Sequence, residues 1–475
     1  APGARLRTVE GRPAFFGKGR LFLLLQVLPE GWEEEPEADA FTAEGFFAEQ
    51  RRRWETFWKK SQVALPAEEA TWQERYEAGL FYVAQSMTDG PVHPTGLSKP
   101  MLPYWYGSFH DTDTYFCRPL LETGHFMEAG THLRYRYRTL GKAKEIARRQ
   151  GRSGALYPWT ADPQGEGAVH DVPVNNAIVA VEAWWQYRHA GGEARREQAR
   201  AILAAVFENL WDLVDAEASP LRLKADHLMT FSETMVASDP TEVRVGIRAT
   251  AACLLEAGCE DPLLRERAER VLGELSLPTD PDGGYAFGQD KEPAYLRCPS
   301  VILGSFPLHH LPADARLKKT FHKELERILL LFAWLPHQAS IVASQLQLRE
   351  GATSAAELLR AADGFYKPWH AYDEWENRRA VRAANFVTAA GGFCSAIHAM
   401  LLAETRPGCW MLFPGIPPEW SGVSFRNLVT RAGWQVSATL ADGKVADYAA
   451  EAVHAGAVPE FRLLVDGTER VFRRS

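Results

Sequence analysis

The sequence predicts a mainly α protein, a toroid of helix hairpins with strands at its N-terminus and a small antiparallel β-domain at its C-terminus. Three observations carry this. Apolar residues recur at helical spacing in paired segments split by Gly-Gly or a single Gly. Long loops, at 153–173, 231–241, 279–300 and 364–383, separate the pairs. After Pro407 the apolar period falls to two, with Gly, Asp-Gly and Pro turns between short runs. No fixed-period repeat is visible, which argues against a solenoid.

In chain order, residues 5–28 read as two strands, 5–9 and 20–27, joined by Gly17-Lys18-Gly19. Two strands alone are not stable and need a further surface. The acidic run 33–37 is a solvated linker. From Thr42 a helix sets Phe46, Phe47, Trp54, Phe57 and Trp58 on one face, and a second from near Glu68 carries Trp72, Tyr76, Leu80 and Phe81. Residues 88–103, rich in Gly and Pro, form a long loop, a type that often carries function. Helices are then expected at 126–147, 176–189, 193–214, 243–257, 262–275, 318–334, 338–349, 354–362 and 386–403. Gly391-Gly392 within the last permits close helix approach or a sharp helix entry. Strands are expected at 410–413, 424–431, 433–440, 445–450, 460–465 and 469–473, pairing with the N-terminal strands. The expected division is 1–30, 40–405 and 406–475.

Composition narrows the function. A formal charge of −8 leaves no basic surface for nucleic acid or an anionic membrane. Arg51-Arg52-Arg53 lies between Glu49 and Glu55 and reads as a solvated helix face. The longest apolar run, 21–28, is strand-sized, too short to span a bilayer. The six cysteines are scattered without a Cys-x-x-Cys pair, so neither a zinc site nor a disulfide framework is expected. Buried thiols point to a reducing, cytoplasmic compartment, with secretion also open. No signal peptide is recognisable, and the start Ala-Pro-Gly-Ala fits a processed or trimmed end.

The chemistry is sought in three loops. Residues 104–115 hold five aromatics with His110, Asp111 and Asp113. Rings beside carboxylates suit a sugar, whose C–H faces stack while its hydroxyls donate. A plain helix start capped by Asp111 or Thr112 is the competing reading. The second loop carries Glu233 in an apolar run, and the third carries Trp369, Asp373, Glu374, Trp375 and Glu376. Two carboxylates across a pocket can act as acid and base in glycosyl transfer, although each alone also reads as a solvated loop carboxylate. His110, Asp111 and Asp113 are crowded into four residues, a poor metal set, and neither a metal nor a cofactor is expected. His309-His310 reads as a surface turn or a packed pair. Gly-x-Ser-x-Gly, P-loop and Gly-x-Gly-x-x-Gly motifs are absent.

Phe109-His110-Asp111-Thr112-Asp113, the run Leu133 to Leu140, and Gly154-Ala155-Leu156-Tyr157-Pro158-Trp159 resemble, in order, segments of family 65 of the glycoside hydrolases. Val174-Asn175-Asn176-Ala177-Ile178 resembles its His-x-Asn-x-x-Ile segment, with Pro173 in the histidine's place. Asn385-Phe386-Val387-Thr388 through Phe393 resembles the Asn-Phe-Leu-Thr-Gly-x-Gly-Gly-Phe of its hydrolytic members. The resemblance covers roughly residues 40–450 and implies an (α/α)6 barrel, a C-terminal β-domain and inverting cleavage of α-glucosides. It implies that Asp111 holds sugar hydroxyls and that Trp159 lines the same subsite; the composition of the loops themselves adds Trp105, His110, Asp113, Trp369 and Trp375 as candidate substrate contacts. Glu233 falls near the family's acid, with Glu242 or Asp239 next in line. Glu376, after Trp375, falls near the water-activating position, with Glu374 as the alternate base. The family's N-terminal β-sandwich is reduced here to its last strands, and the acid's flanks differ.

The sequence therefore predicts an inverting hydrolase of an α-linked glucosyl or related sugar. A catalytically degenerate carbohydrate-binding protein and a disaccharide phosphorylase on the same scaffold are the alternatives. The family's phosphorylases carry His-x-Ser-Ser before the last barrel helices, whereas 365–384 here lacks serine. Only a carbohydrate partner is expected, with the assembly open between monomer and homodimer.

Overall fold

The computed structural model describes residues 5–9, 12–16, 43–87, 108–109, 114–162, 164–167, 172–224, 228–229, 236–237, 241–287, 301–327, 332–367, 371–372 and 386–474. The chain divides into two compact units, 1–59 and 60–475.

In the first unit, β1 (Arg5–Val9) pairs antiparallel with β2 (Arg12–Phe16), Arg5 opposite Phe16. The expected partner at 20–27 lies outside the described residues, and β1 takes its partner across a shorter connection. Helix α1 (Ala43–Lys60) follows, with Trp54, Phe57 and Trp58 in ring contact at centroid distances of 5.0–6.4 Å.

The second unit is mainly helical, after a short strand β3 (Gln62–Ala64). Its helices are α2 (Ala70–Ser86), α3 (Thr114–Glu122), α4 (Phe126–Arg138), α5 (Leu140–Arg149), α6 (Pro173–Ala190), α7 (Glu193–Trp211), α8 (Thr241–Glu256), α9 (Pro262–Glu274), α10 (Ala315–Leu325), α11 (Trp334–Gln345), α12 (Ala355–Arg360) and α13 (Val387–Leu401). Five of them are the core. Every residue of α11 and α13 is buried, as are most of α6 and α8 and the described side chains of α3 up to Leu121. Helix α3 packs on α6 and α13, α6 on α8, and α11 on α13, while α8 meets a 3-10 turn, Val301–Gly304. Phe306, just past that turn, accepts a hydrogen bond from Gln338 of α11. Each core helix has a half-exposed partner: α4 on α3, α7 on α6, α9 on α8, α12 on α11 and α2 on α13. None of the described helices is long and apolar enough to cross a membrane.

Two expected helices break differently. The segment expected at 126–147 divides at Thr139, because the Arg136 carbonyl accepts from the Tyr157 hydroxyl at 2.7 Å and the chain turns there. The segment expected at 318–334 ends as α10, and Trp334 instead opens α11, with Pro336 in its first turn, where a missing N–H costs nothing. Gly391 permits the closest approach: a Cβ there would lie 1.8 Å from the Tyr115 carbonyl oxygen.

After α13 come β4 (Leu402–Arg406), β5 (Cys409–Leu412), β6 (Val423–Val429), β7 (Trp434–Ala441), β8 (Lys444–Ala452), β9 (Glu460–Val465) and β10 (Thr468–Arg473). They form two four-stranded sheets, ordered β4-β5-β9-β10 and β8-β7-β6-β3. The N-terminal strand that joins them is β3, through Phe425 opposite Val63, whereas β1 pairs with β2. The five described cysteines are buried and unpaired as disulfides.

Candidate active site

The core helices run side by side in one direction. Gly391 near the start of α13 abuts Tyr115 at the start of α3, and Gly392 abuts His337 in the first turns of α11. Tyr115 and Trp334, the second and first residues of their helices, are in ring contact at 6.1 Å, tilted by 48°. Gly246 of α8 meets Val174 and Ala177 of α6. At the other ends, Glu122, His189, Gln345 and His398 line one cavity. The N-termini of α3, α11 and α13 thus lie together, and those of α6 and α8 lie together, all directed away from that cavity. Parallel helix N-termini present partial positive charge and unpaired N–H groups, which favour anionic groups at that end.

Chain connectivity ties the sequence-predicted residues to these ends. Trp105, His110, Asp111 and Asp113 directly precede α3; Glu233 and Asp239 precede α8; Trp369, Glu374, Trp375 and Glu376 precede α13. All of these residues lie outside the described residues. Of the predicted set, Trp159 is described.

Trp159 is half-buried on a segment fixed by a hydrogen-bond lattice. Asn176, in the first turn of α6, donates to the Ala155 carbonyl at 3.0 Å and accepts from the Tyr157 N–H at 3.3 Å. The Ala155 N–H donates to the Ala205 carbonyl of α7. Gly154 has φ +66°, and a Cβ there would sit 2.1 Å from the Ala205 oxygen, so only glycine fits. The Tyr135 hydroxyl donates to the Asp162 carbonyl at 2.6 Å. Ser108–Phe109 pairs antiparallel with Thr160–Ala161, Phe109 opposite Thr160. This pairing brings the residue before His110 level with the residue after Trp159, joining two of the predicted site segments.

Three groups at these helix starts escaped the sequence reading. Asn175 is buried, and its Oδ1 has no hydrogen-bond partner among the described residues. His337 is buried, with its ring edge-on to Phe393 at 5.9 Å, and burial pushes its pKa down to about 3. Trp334 forms a wall with Tyr115 and Phe332. Asn175 was legible from its place in the resembling motif; Trp334 was hidden as the last residue of an expected helix, 318–334, and His337 in the gap before the next, 338–349. Glu242, in the first turn of α8, is also buried.

Residues 86–208 match the glycosyl hydrolase family 65 central catalytic domain. The kojibiose phosphorylase of Escherichia coli (strain K12) is 23% identical over 353 residues, covering 67% of this chain and 44% of that protein. The chain thus spans less than half the length of this curated relative. A solved structure described as a kojibiose phosphorylase from the human microbiome superposes with a TM-score of 0.69 at 13% identity, covering 92% of this chain and 66% of that one. A glycosidase bearing a Glu-to-Ala substitution superposes at 0.53 and 11% identity, covering 71% of this chain and 99% of that one. At these identities the structural likeness is one of fold. The chain is family 65-like.

Proposed function

From this family 65-like character we propose that the chain is an inverting enzyme that hydrolyses an α-linked glucosyl residue from a small glycoside or disaccharide. The core helices and their partners are read as an (α/α)6 barrel over 40–405, with 1–30 as N-terminal strands and 406–475 as the β-domain. Glu233 acts as general acid and protonates the glycosidic oxygen as the C1–O bond breaks. Glu376 acts as general base, taking a proton from a water that attacks C1 on the opposite face, so that an α-glucoside yields the β-anomer. Glu374 is the alternate base. Asp111, His110 and Asp113 hold hydroxyls, while Trp105, Trp159, Trp369 and Trp375 supply stacking faces.

One observation carries hydrolysis over its rival: residues 365–384, leading into buried α13, contain no serine but do contain Asp373, Glu374 and Glu376. Phosphate needs hydroxyls, N–H groups and cations, whereas water needs a base. Arg378, Arg379 and Arg382 weigh the other way. Phosphorolysis is the second reading, favoured by the two relatives described as kojibiose phosphorylases. A screen of α-linked disaccharides, kojibiose included, and aryl α-glucosides with anomer-resolved NMR tests the proposal. β-Glucose as first product is expected; α-glucose would refute inversion, and no turnover on any substrate would favour a carbohydrate-binding protein.

A further inference from the structure

At the opposite end of the core helices, against the β-sheets, lies a cavity of about 60 Å³, continuous in its lining with an outer one of about 220 Å³. The two share His309, Gln345, Glu404 and Arg431. Neither includes a residue of the proposed catalytic end.

The inner lining is rich in unused donors. Arg118 of α3 is 4% exposed, yet it forms no salt bridge among the described residues; its one hydrogen bond runs from Nη2 to His309 Nε2 at 3.0 Å. An arginine can only donate, so His309 accepts at Nε2 and carries its proton on Nδ1. Burial lowers the His309 pKa well below its ordinary value, so the ring does not become a second cation. Gln345 uses its Oε1 to accept from Ser305 at 2.5 Å, which leaves its NH2 group without a partner among the described residues. The Ser395 hydroxyl on the same wall has none either. Two carboxylates line the cavity and both are engaged: Glu122 with His398 Nδ1 at 2.8 Å, and Glu404 with the Arg431 guanidinium. Arg118 itself lies 6.0 Å from the Trp185 ring and 5.9 Å from that of Phe306. Glu122 and Glu182 act on Arg118 through space without hydrogen-bonding to it, so apart from the bond to His309 its buried N–H groups lack an acceptor among the described residues, which is costly unless a bound group supplies one.

We propose that this cavity is a binding site for a small oxyanion, a carboxylate or a phosphate, with Arg118 as its counter-charge and Gln345 and Ser395 as further donors. A planar guanidinium fork matches either anion bidentately. The outer cavity, bordered by Arg406 and His310, leads to it and accommodates the body of a larger organic acid.

Calorimetric titration of the intact chain with phosphate and, separately, with acetate tests this. One saturable site is expected, weakened at least tenfold in Arg118→Met, partly recovered in Arg118→Lys, and weakened several-fold in Gln345→Ala. Anion-free Arg118→Met should melt no lower than wild type, and anion should no longer raise its melting temperature. If Arg118→Met does not fold, Gln345→Ala decides. No saturable binding at millimolar anion, or binding unchanged in Gln345→Ala and in any folded Arg118→Met, overturns the proposal. Phosphate binding retained in Arg118→Met but lost when Arg378, Arg379 and Arg382 become alanine also overturns it, and would speak for phosphorolysis at the catalytic end. Saturation by acetate but not phosphate identifies the occupant as a carboxylate.

Discussion

Asn176 fixes the segment that carries Trp159, one of the proposed stacking faces. Its side chain ties the Ala155 carbonyl and the Tyr157 N–H to α6 and also donates to Asn209, and so determines where Trp159 sits. Asn176→Ala leaves buried backbone groups unpaired, each costing about 1–3 kcal/mol. The expected outcome is a lower melting temperature and a KM for α-glucosides raised several-fold, with kcat less affected; unchanged KM and stability would remove Trp159 from the site. At Glu233 the stake is the chemistry itself. It is the proposed general acid, a role that needs a carboxyl protonated near neutral pH. Glu233→Gln should lower kcat by roughly 100-fold or more on unactivated glucosides, and much less on aryl glucosides whose leaving groups need no proton. Equal turnover by the variant on unactivated substrate would move the acid to Glu242, buried in the first turn of α8.

Among elements, the pairing of α13 with α3 holds the proposed catalytic end together. An added Cβ at Gly391 meets the Tyr115 carbonyl at 1.8 Å, a backbone atom with little freedom to shift. Gly391→Ala should destabilise by about 3 kcal/mol, at the upper end for overpacking, as read by chemical denaturation. Gly79→Ala, whose Cβ would meet Ala390 O and Cys394 Sγ at 3.0 Å, should cost less. Equal stability of Gly391→Ala and wild type would mean that the two helices do not approach as described. Element boundaries show where sequence reasoning failed. Helices split by Gly-Gly or Gly258 were legible because glycine ends helices locally. The break at Thr139 was not, since the bond that accompanies it comes from the Tyr157 hydroxyl, 21 residues beyond the Arg136 carbonyl that accepts it. The start of α11 was hidden because Phe332 to Leu335 continue an apolar run, and only tertiary packing turns Trp334 inward. Strands β3 and β4 are too short, or too near a helix end, to show a period of two.

For the molecule as a whole, neutral histidines set the acid limit, His189 and His337 buried and His309 and His310 half-buried. Burial lowers His189 and His309 well below their ordinary pKa, His310 to about 4 and His337 to about 3. In the unfolded chain each protonates near its ordinary value, so below about pH 6.5 the unfolded state binds more protons. Stability is therefore full above that pH and falls toward pH 4, by about 1.4 kcal/mol per pH unit for each such histidine. The melting temperature should drop from pH 7.5 to 5, and His310→Gln, which still accepts from Arg248, should flatten the drop. A profile flat over that range would contradict the burial of these rings. The mainly helical class, the C-terminal strands and the family 65-like character were all legible in the sequence. The cavity around Arg118 was not, because its lining comes from α3, α6, α11, α13, the segment at Phe306–His309 and strands β4, β5 and β6, which only the fold brings together.

The central claim is that water, not phosphate, attacks the sugar. Incubating the chain with a turned-over α-linked disaccharide in excess phosphate, and following products by anomer-resolved proton and phosphorus NMR, tests it most directly. Two free sugars, the first released as the β-anomer, at a rate independent of phosphate, are predicted. Formation of a sugar 1-phosphate, or turnover that requires phosphate, would contradict it.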